Sequence, residues 1–539
     1  MAAVEVTYSL PKDVNEKKSV VNAGAEFRIT TQGKDGRGGS VSRSSKDPSL
    51  RPAYYYTNSP WRLLWSDTKL FLANILFLPC IVFPLWARPP ARSFHLGVDN
   101  RFREQPRFLV SQLHRQFQAW AQTYFHSGPM DELYPSWNNL YDITFHMILI
   151  AAQSSFLMSL PFLSLFSFNL FVAYVGAFVA VNYAACFALN GWMPDGYIMS
   201  KQFPATAQWR EDHAEEEWIF LNGVAVGKNW LQSNIDRLSL TFHREIKGVH
   251  NQTAGIIFDV IQCLLERCLY FGTAHTRIGF AHISDALLNP EKKKVVLILH
   301  SQGGLEGSII LDWIINQHPR EVLQKLEIYT FGNAANHFNN PRVKRENAVP
   351  RPKNRAIRHI EHYANSRDFV SRWGVLHFKK QTARKNGRFL GLGEITALIA
   401  RGTETVKAVT RPAVRQADKL DSEWNAYEGA LIERSGSGHQ LNQHYLDNMF
   451  PLDDSLSRVQ TNGDGSPLPG TFMGSLTKVR NDPWKIDEQR RLTNGTEGTA
   501  HHYNNNNNAD DGGDFEEKRV YEVSRLWKYV NGYSPVDKK

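Results

Sequence analysis

The segment Leu299-His300-Ser301-Gln302-Gly303-Gly304 closes the apolar run KVVLILH and opens an amphipathic stretch. A serine set on a sharp strand-to-helix turn has its hydroxyl lifted clear of its neighbours. The N-terminus of the following helix favours negative charge developing beside it. Glycines at 303 and 304 let that helix pack close to its strand. The chemistry such a serine performs is nucleophilic attack, provided a base takes its proton. The structural alternative is a strand-to-helix turn with no chemistry.

The motif HSQGG resembles the HSxGG elbow of lipases. YTFGNAANHFNNP, at 329–341, resembles the segment that follows the elbow strand in class 3 lipases. Over about residues 216–448, under half the chain, the sequence therefore resembles the α/β-hydrolase superfamily and its lipase-like serine hydrolases. It also resembles a fungal family of membrane-linked proteins of this shape. It departs from the G-x-S-x-G pattern at Leu299, where a bulky side chain is expected to crowd the turn.

The resemblance implies an acid and then a histidine later in the chain than the serine. HIEHYANSRDFVSRWG offers Asp368 after a strand; Glu361 lies within the strand and is less well placed. GHQLNQHYLDNMF offers His444 as the base, with His439 as the alternate, while His377 in VLHF comes too soon after Asp368. The oxyanion hole implied by the family uses the backbone N–H of Gln302 and one from the turn Asn222-Gly223-Val224, assigned to Val224. Asn222 stands where the related HG turn has His, a change that leaves backbone donors unaffected. GVAVGK, at 223–228, fails as a phosphate loop: it has three residues between its glycines, and Asn229 follows the lysine.

The elements that must position these residues are legible as alternating apolar runs and helical stretches. WIFLNGVAV (218–226), KVVLILH (294–300), LEIYTFG (326–332) and AIRHIEHYA (356–364) read as strands, and 253–270 and 303–317 as helices. That alternation implies an α/β domain with a mostly parallel sheet, spanning 195–452. Residues 1–60 are polar and rich in Ser, Gly, Lys and Arg, and read as a disordered arm. The tail 453–539, with an Asn run at 504–508, reads as mostly disordered, with a short amphipathic helix over 519–533.

Residues 61–194 have another character. LFLANILFLPCIVFPLW (70–86) carries no charge, although Pro79 and Pro84 weaken a straight helix there. Between Asp142 and Asp195 there is no Asp, Glu, Lys or Arg. That is room for two membrane helices, at about 143–160 and 165–187, turning near Pro161. Trp137, Tyr141, Tyr183 and Trp192 stand near the ends, where aromatic residues suit a membrane interface. Arg88, Arg92, Arg101, Arg103, Arg107 and Arg115 precede the hairpin. This positive charge places both its ends, and the α/β domain, on the cytosolic side.

Composition agrees with a folded chain. Its 539 residues are 42% hydrophobic and 21% charged, which excludes a wholly disordered, collagen-like or coiled-coil protein. A net charge of +9 is too mild over this length to argue for nucleic acid. The four cysteines, Cys80, Cys186, Cys263 and Cys268, show no CxxC spacing, so neither a zinc site nor a disulfide framework is expected. No metal or organic cofactor is implied. The expected protein is a membrane-anchored serine hydrolase acting on carboxylic, and particularly lipid acyl, esters. Its rival is a non-catalytic membrane scaffold that keeps the fold without the chemistry.

Overall fold

The structure, a computed structural model, describes residues 60–85, 124–201, 213–341, 355–383, 427–453, 455–480 and 515–536. Seven strands form one sheet: β1 (Tyr197–Met199), β2 (Glu216–Leu221), β3 (Ile246–Val249), β4 (Lys294–His300), β5 (Leu326–Phe331), β6 (His359–Asn365) and β7 (Ala430–Arg434). Their order is β1-β3-β2-β4-β5-β6-β7, and all neighbours are parallel except β1 and β3.

The composition of β4 explains its central place. Val295, Leu297 and Leu299 point into one buried cluster, and Val296 and Ile298 into another. Successive side chains of a strand face opposite sides, so an unbroken apolar run needs cover on both. One face is covered by helices α1 (Pro60–Ala73), α5 (Ile256–Leu269), α6 (Ala274–Leu288) and α7 (Gln302–Gln317), through Leu63, Cys263, Ile283 and Ile310 among others. Helix α4 (Lys228–Phe242) covers the other through Leu231, Ile235 and Leu238.

The chain leaves β2 in one direction to form β3 and returns on the other side of β2 to form β4. At such a reversal, beyond the carboxyl ends of β2 and β4, open α/β sheets place their ligand sites. Both the turn after β2 and the turn carrying Ser301 lie there.

The apolar region forms helices α2 (Trp137–Leu163) and α3 (Phe168–Asn190), with mean hydropathies of 1.6 and 1.9 over their most apolar windows. Both are long and apolar enough to cross a membrane. They turn at 164–167 rather than at Pro161, which is accommodated inside α2. The stretch expected at 70–86 is not one straight helix. It is the end of α1 followed by a 3-10 segment, Ile75–Ile81, with a 69° bend between them. Pro79 sits inside the 3-10 segment; in a continued α-helix it would lose a hydrogen bond and its ring would clash with the carbonyl four residues back.

The expectation of a mostly disordered tail is corrected where the structure describes it. Strand β8 (Leu476–Arg480) pairs antiparallel with β9 (Phe515–Arg519), and Val520, Leu526, Tyr529 and Val530 are buried against the α4 side of the sheet. Arg525 donates to both carboxylate oxygens of the fully buried Glu327 on β5, at 2.8 and 3.0 Å, and the Tyr529 hydroxyl donates to the same carboxylate at 2.8 Å. Local composition concealed this because its partner lies some 200 residues away in the chain. The arm at 1–59 and the Asn run at 504–508 fall outside the described residues.

Candidate active site

Ser301 is the first non-helical residue between β4 and α7, with φ 57° and ψ −120°. A non-glycine residue rarely holds this conformation, which costs of order 1–3 kcal/mol and persists only where the surroundings enforce it. Here the Ser301 N–H donates to Phe331 O at 3.0 Å, and its carbonyl accepts from Gly304 N at 3.0 Å and Ala334 N at 3.1 Å. The turn is thus locked to both its own helix and the loop after β5.

Close packing needs the glycines around it. A Cβ on Gly303 would lie 2.7 Å from Asn222 O, so the absence of one lets α7 start directly over the end of β2. Leu299 does not crowd the turn as expected. Its side chain is fully buried and lies across Gly307 of α7, where a Cβ would come within 3.0 Å of Leu299 Cδ2. The space that the G-x-S-x-G pattern provides on the strand is provided here by the helix.

The turn after β2 closes on the serine from the other side. A Cβ on Gly223 would stand 2.5 Å from Ser301 Cβ and 3.0 Å from its Oγ. Asn222 braces this turn: it donates to Asn251 O at 2.9 Å and accepts from Asn251 N at 2.8 Å. Asp259 braces it again, accepting from Ala225 N at 3.0 Å, Ala254 N at 2.8 Å and Thr253 Oγ1 at 2.7 Å. Val224 lies between these braces with its side chain packed on the core. Among the described residues no acceptor takes the backbone N–H of Val224 or of Gln302. The Gln302 side chain is held at 3.1 Å by Glu266, a buried carboxyl whose pKa burial pushes up to about 7.

Asp368 follows β6 and caps the short helix α8 (Phe369–Trp373), accepting from Val370 N at 2.9 Å. Its other oxygen accepts from Ser371 Oγ at 2.8 Å, Tyr445 Oη at 2.7 Å and His439 Nδ1 at 2.9 Å. Burial alone would raise its pKa. The charge of His439 and the hydrogen bonds from His439, Tyr445 and Ser371 outweigh that and hold it below the ordinary value.

The histidine beside Asp368 is therefore His439, not His444. The His439 ring stacks on that of His300, with centroids 4.8 Å apart, and His300 Nε2 donates to His439 O at 2.8 Å. His439 Nε2 is buried and has no hydrogen-bond partner. The His444 ring is occupied elsewhere: Nδ1 accepts from Gln440 N at 3.0 Å, and Nε2 donates to Pro84 O at 2.7 Å. Burial pushes its pKa down to about 4. The preference for His444 in the sequence is corrected by this placement.

A strap crosses the site. The 3-10 segment accepts from Gly438 N at Cys80 O (2.9 Å) and from His439 N at Ile81 O (3.1 Å), and Gln443 Nε2 donates to Leu85 O at 2.5 Å. Ser301 is left only 4% exposed. Among the described residues its hydroxyl makes no hydrogen bond, to His439 or otherwise. Sequence reasoning missed His300, Ser371, Tyr445 and the strap. The spacing of Ser371 three residues after Asp368 was the one local signal for any of them. Among the described residues no group of three or more His, Cys, Asp or Glu side chains is arranged to hold a metal ion.

No protein-family model, no curated protein and no solved structure matches this chain.

Proposed function

We propose that the chain is a membrane-anchored serine hydrolase of α/β-hydrolase fold that cleaves carboxylic esters, with lipid acyl esters as its substrate class. The observation that carries this reading is the enforced backbone conformation of Ser301 together with an Asp368–His439 pair whose histidine ring stacks on that of His300, the residue before the serine. The strand order and the chain order Ser, Asp, His support it.

Each residue has a definite task in this mechanism. The ionised Asp368 can only accept, so Nδ1 of His439 carries the proton and Nε2 carries the free lone pair. Nε2 takes the Ser301 proton as Oγ attacks the ester carbonyl carbon. The carbonyl oxygen gathers negative charge, which the N–H groups of Gln302 and Val224 and the N-terminus of α7 stabilise. Collapse breaks the acyl–oxygen bond, and the alcohol leaves with the proton returned by Nε2. Water, activated by the same nitrogen, then releases the acid and regenerates Ser301.

The rival reading, a scaffold without chemistry, has its best support in Leu299, and the place Gly307 makes for that side chain weighs against it. The two apolar helices support the membrane placement. The arginines at 88–115 and the free thiols of all four cysteines support a cytosolic face for the α/β domain. A fluorophosphonate probe on the detergent-solubilised full chain tests the function: covalent labelling of Ser301, abolished by Ser301→Ala, is expected. Absence of labelling in the folded protein favours the scaffold.

A further inference from the structure

Polar contacts part-way along the hairpin decide how deeply it enters a membrane. Gln153 of α2 donates to Ala254 O at 2.7 Å and to Asn182 Oδ1 at 2.8 Å. Asn182 of α3 donates to the same carbonyl at 3.1 Å. Asn190 donates to Thr253 O at 2.9 Å and accepts from Thr253 N at 3.0 Å. Further back along α2, Asp142 accepts from Asn229 at 3.1 Å, and the His146 ring stacks on Trp230. The polar contacts of the α/β domain thus follow the hairpin as far as Gln153 and Asn182, and just beyond them Phe258 of α5 meets the rings of Phe156 and Phe178 edge-on.

Only the remainder is free to enter lipid. Past the polar anchors it comprises ten residues of α2, 154–163, and fourteen of α3, 168–181. At about 1.5 Å per residue these reach ~15 and ~21 Å. A bilayer's hydrocarbon core is about 30 Å thick. A full crossing would draw the irregular loop at 251–255 into hydrocarbon, where backbone groups outside helices and closed barrels are not tolerated facing lipid.

The surface beside the hairpin fits a shallower placement. Helix α5 packs between α2 and α1. It exposes Ile261, Leu265 and Leu269, one stripe at helical spacing, with Phe271 just beyond. Helix α1 exposes Trp61 and Trp65, with the Lys69 ammonium 4.9 Å from the Trp65 ring centre. An apolar stripe with aromatic rings and a cationic tip suits the headgroup boundary.

We propose that the chain occupies a single leaflet: the turn at 164–167 ends near the bilayer midplane, and the exposed face of α5 and α1 rests at the headgroup level. The occupant of that face is a lipid surface, because it continues directly from the apolar hairpin. On the proposed reading of Ser301, an ester in the same leaflet meets the site along this face; the depth test does not depend on that reading.

Nitroxide labels on Leu265→Cys, Met158→Cys and Leu165→Cys, each with Cys80→Ser, measure depth by power saturation in phosphatidylcholine vesicles. Met158 and Leu165 are 73% and 84% exposed, so the labels leave the fold intact. The ratio of oxygen to nickel-chelate accessibility is expected to rise from 265 through 158 to a maximum at 165. A ratio that falls from 158 to 165 means that the turn emerges on the far side, which overturns the proposal. A label at 265 fully accessible to the nickel chelate, as in water, overturns it equally.

Discussion

Nδ1 of His439 lies 2.9 Å from Oδ2 of Asp368, while the ring of His444, five residues later, is turned away to the strap at Pro84. Two histidines on one short loop thus have separate tasks, one pairing with Asp368 and the other fastening the segment that covers Ser301.

Substitution separates these tasks. His439→Ala is expected to abolish fluorophosphonate labelling as fully as Ser301→Ala, leaving ~10³–10⁴ over water in ester hydrolysis. His444→Ala is expected to keep labelling within a few-fold and to lose about 1–2 kcal/mol of stability through the broken strap contacts. Asp368→Asn is expected to cost ~10⁴ in turnover, because the amide can hold the wrong tautomer. Labelling rates and thermal melts, measured at equal folded concentration, check all three. Full labelling of His439→Ala would remove it from the mechanism.

Gly223→Ala probes the turn opposite the serine. Its new Cβ would stand 2.5 Å from Ser301 Cβ, so either the serine or the turn must shift. A displacement approaching 1 Å is expected to cost ~10² in ester turnover. Melting temperature reports whether the fold survives; unchanged turnover would place the reacting geometry elsewhere.

Gly307→Ala tests how the bulky Leu299 is housed. The added methyl overlaps the Leu299 side chain and is expected to destabilise the protein by about 1–3 kcal/mol. Leu299→Ala in the same chain is expected to recover part of that loss. A denaturant-based double-mutant cycle reads the coupling, and additive effects would show that the two residues do not share the space.

Arg525→Ala removes the close charge partner of the buried Glu327 carboxylate and leaves Arg358, 4.0 Å away, as the remaining one. A loss of about 3–5 kcal/mol is expected, with little change in the labelling chemistry of whatever remains folded. A chemical denaturation curve decides it. An unaffected midpoint would mean that the C-terminal segment adds nothing to the sheet it covers.

Glu266 links stability to pH. Burial lifts its pKa from 4.5 to about 7, so it stabilises the fold while protonated and destabilises it when ionised. Stability from this group is therefore fully present below pH 4.5 and is lost as pH rises through 7. A tenfold change in proton affinity is worth about 1.4 kcal/mol, so the loss approaches ~3 kcal/mol. Glu266→Gln is expected to flatten this fall, gaining on the parent chain between pH 5 and 8. Parallel melting curves at the two pH values would refute the linkage.

The local readings that held have a common physical basis. β4 and the opening of α7 are legible because an apolar run ending in HSQGG has few other conformations open to it, and side chains buried on both faces leave no polar alternation to misread. The hairpin helices are legible because a stretch without charge needs no partner in the sequence to betray its environment. Strands β3 and β7 were not read, being four or five residues long with little alternation, and were held by neighbours already in the sheet. The choice between His439 and His444 was beyond the sequence, since both stand in the right order after Asp368. Tertiary structure decided it through groups remote in the chain: His300 at 139 residues' distance fixes the backbone of one, and Pro84 at 360 captures the ring of the other. The depth of the hairpin was hidden for the same reason. Hydropathy measures the length of an apolar segment, whereas the reach left to it depends on where Gln153 and Asn182 meet the carbonyl of Ala254.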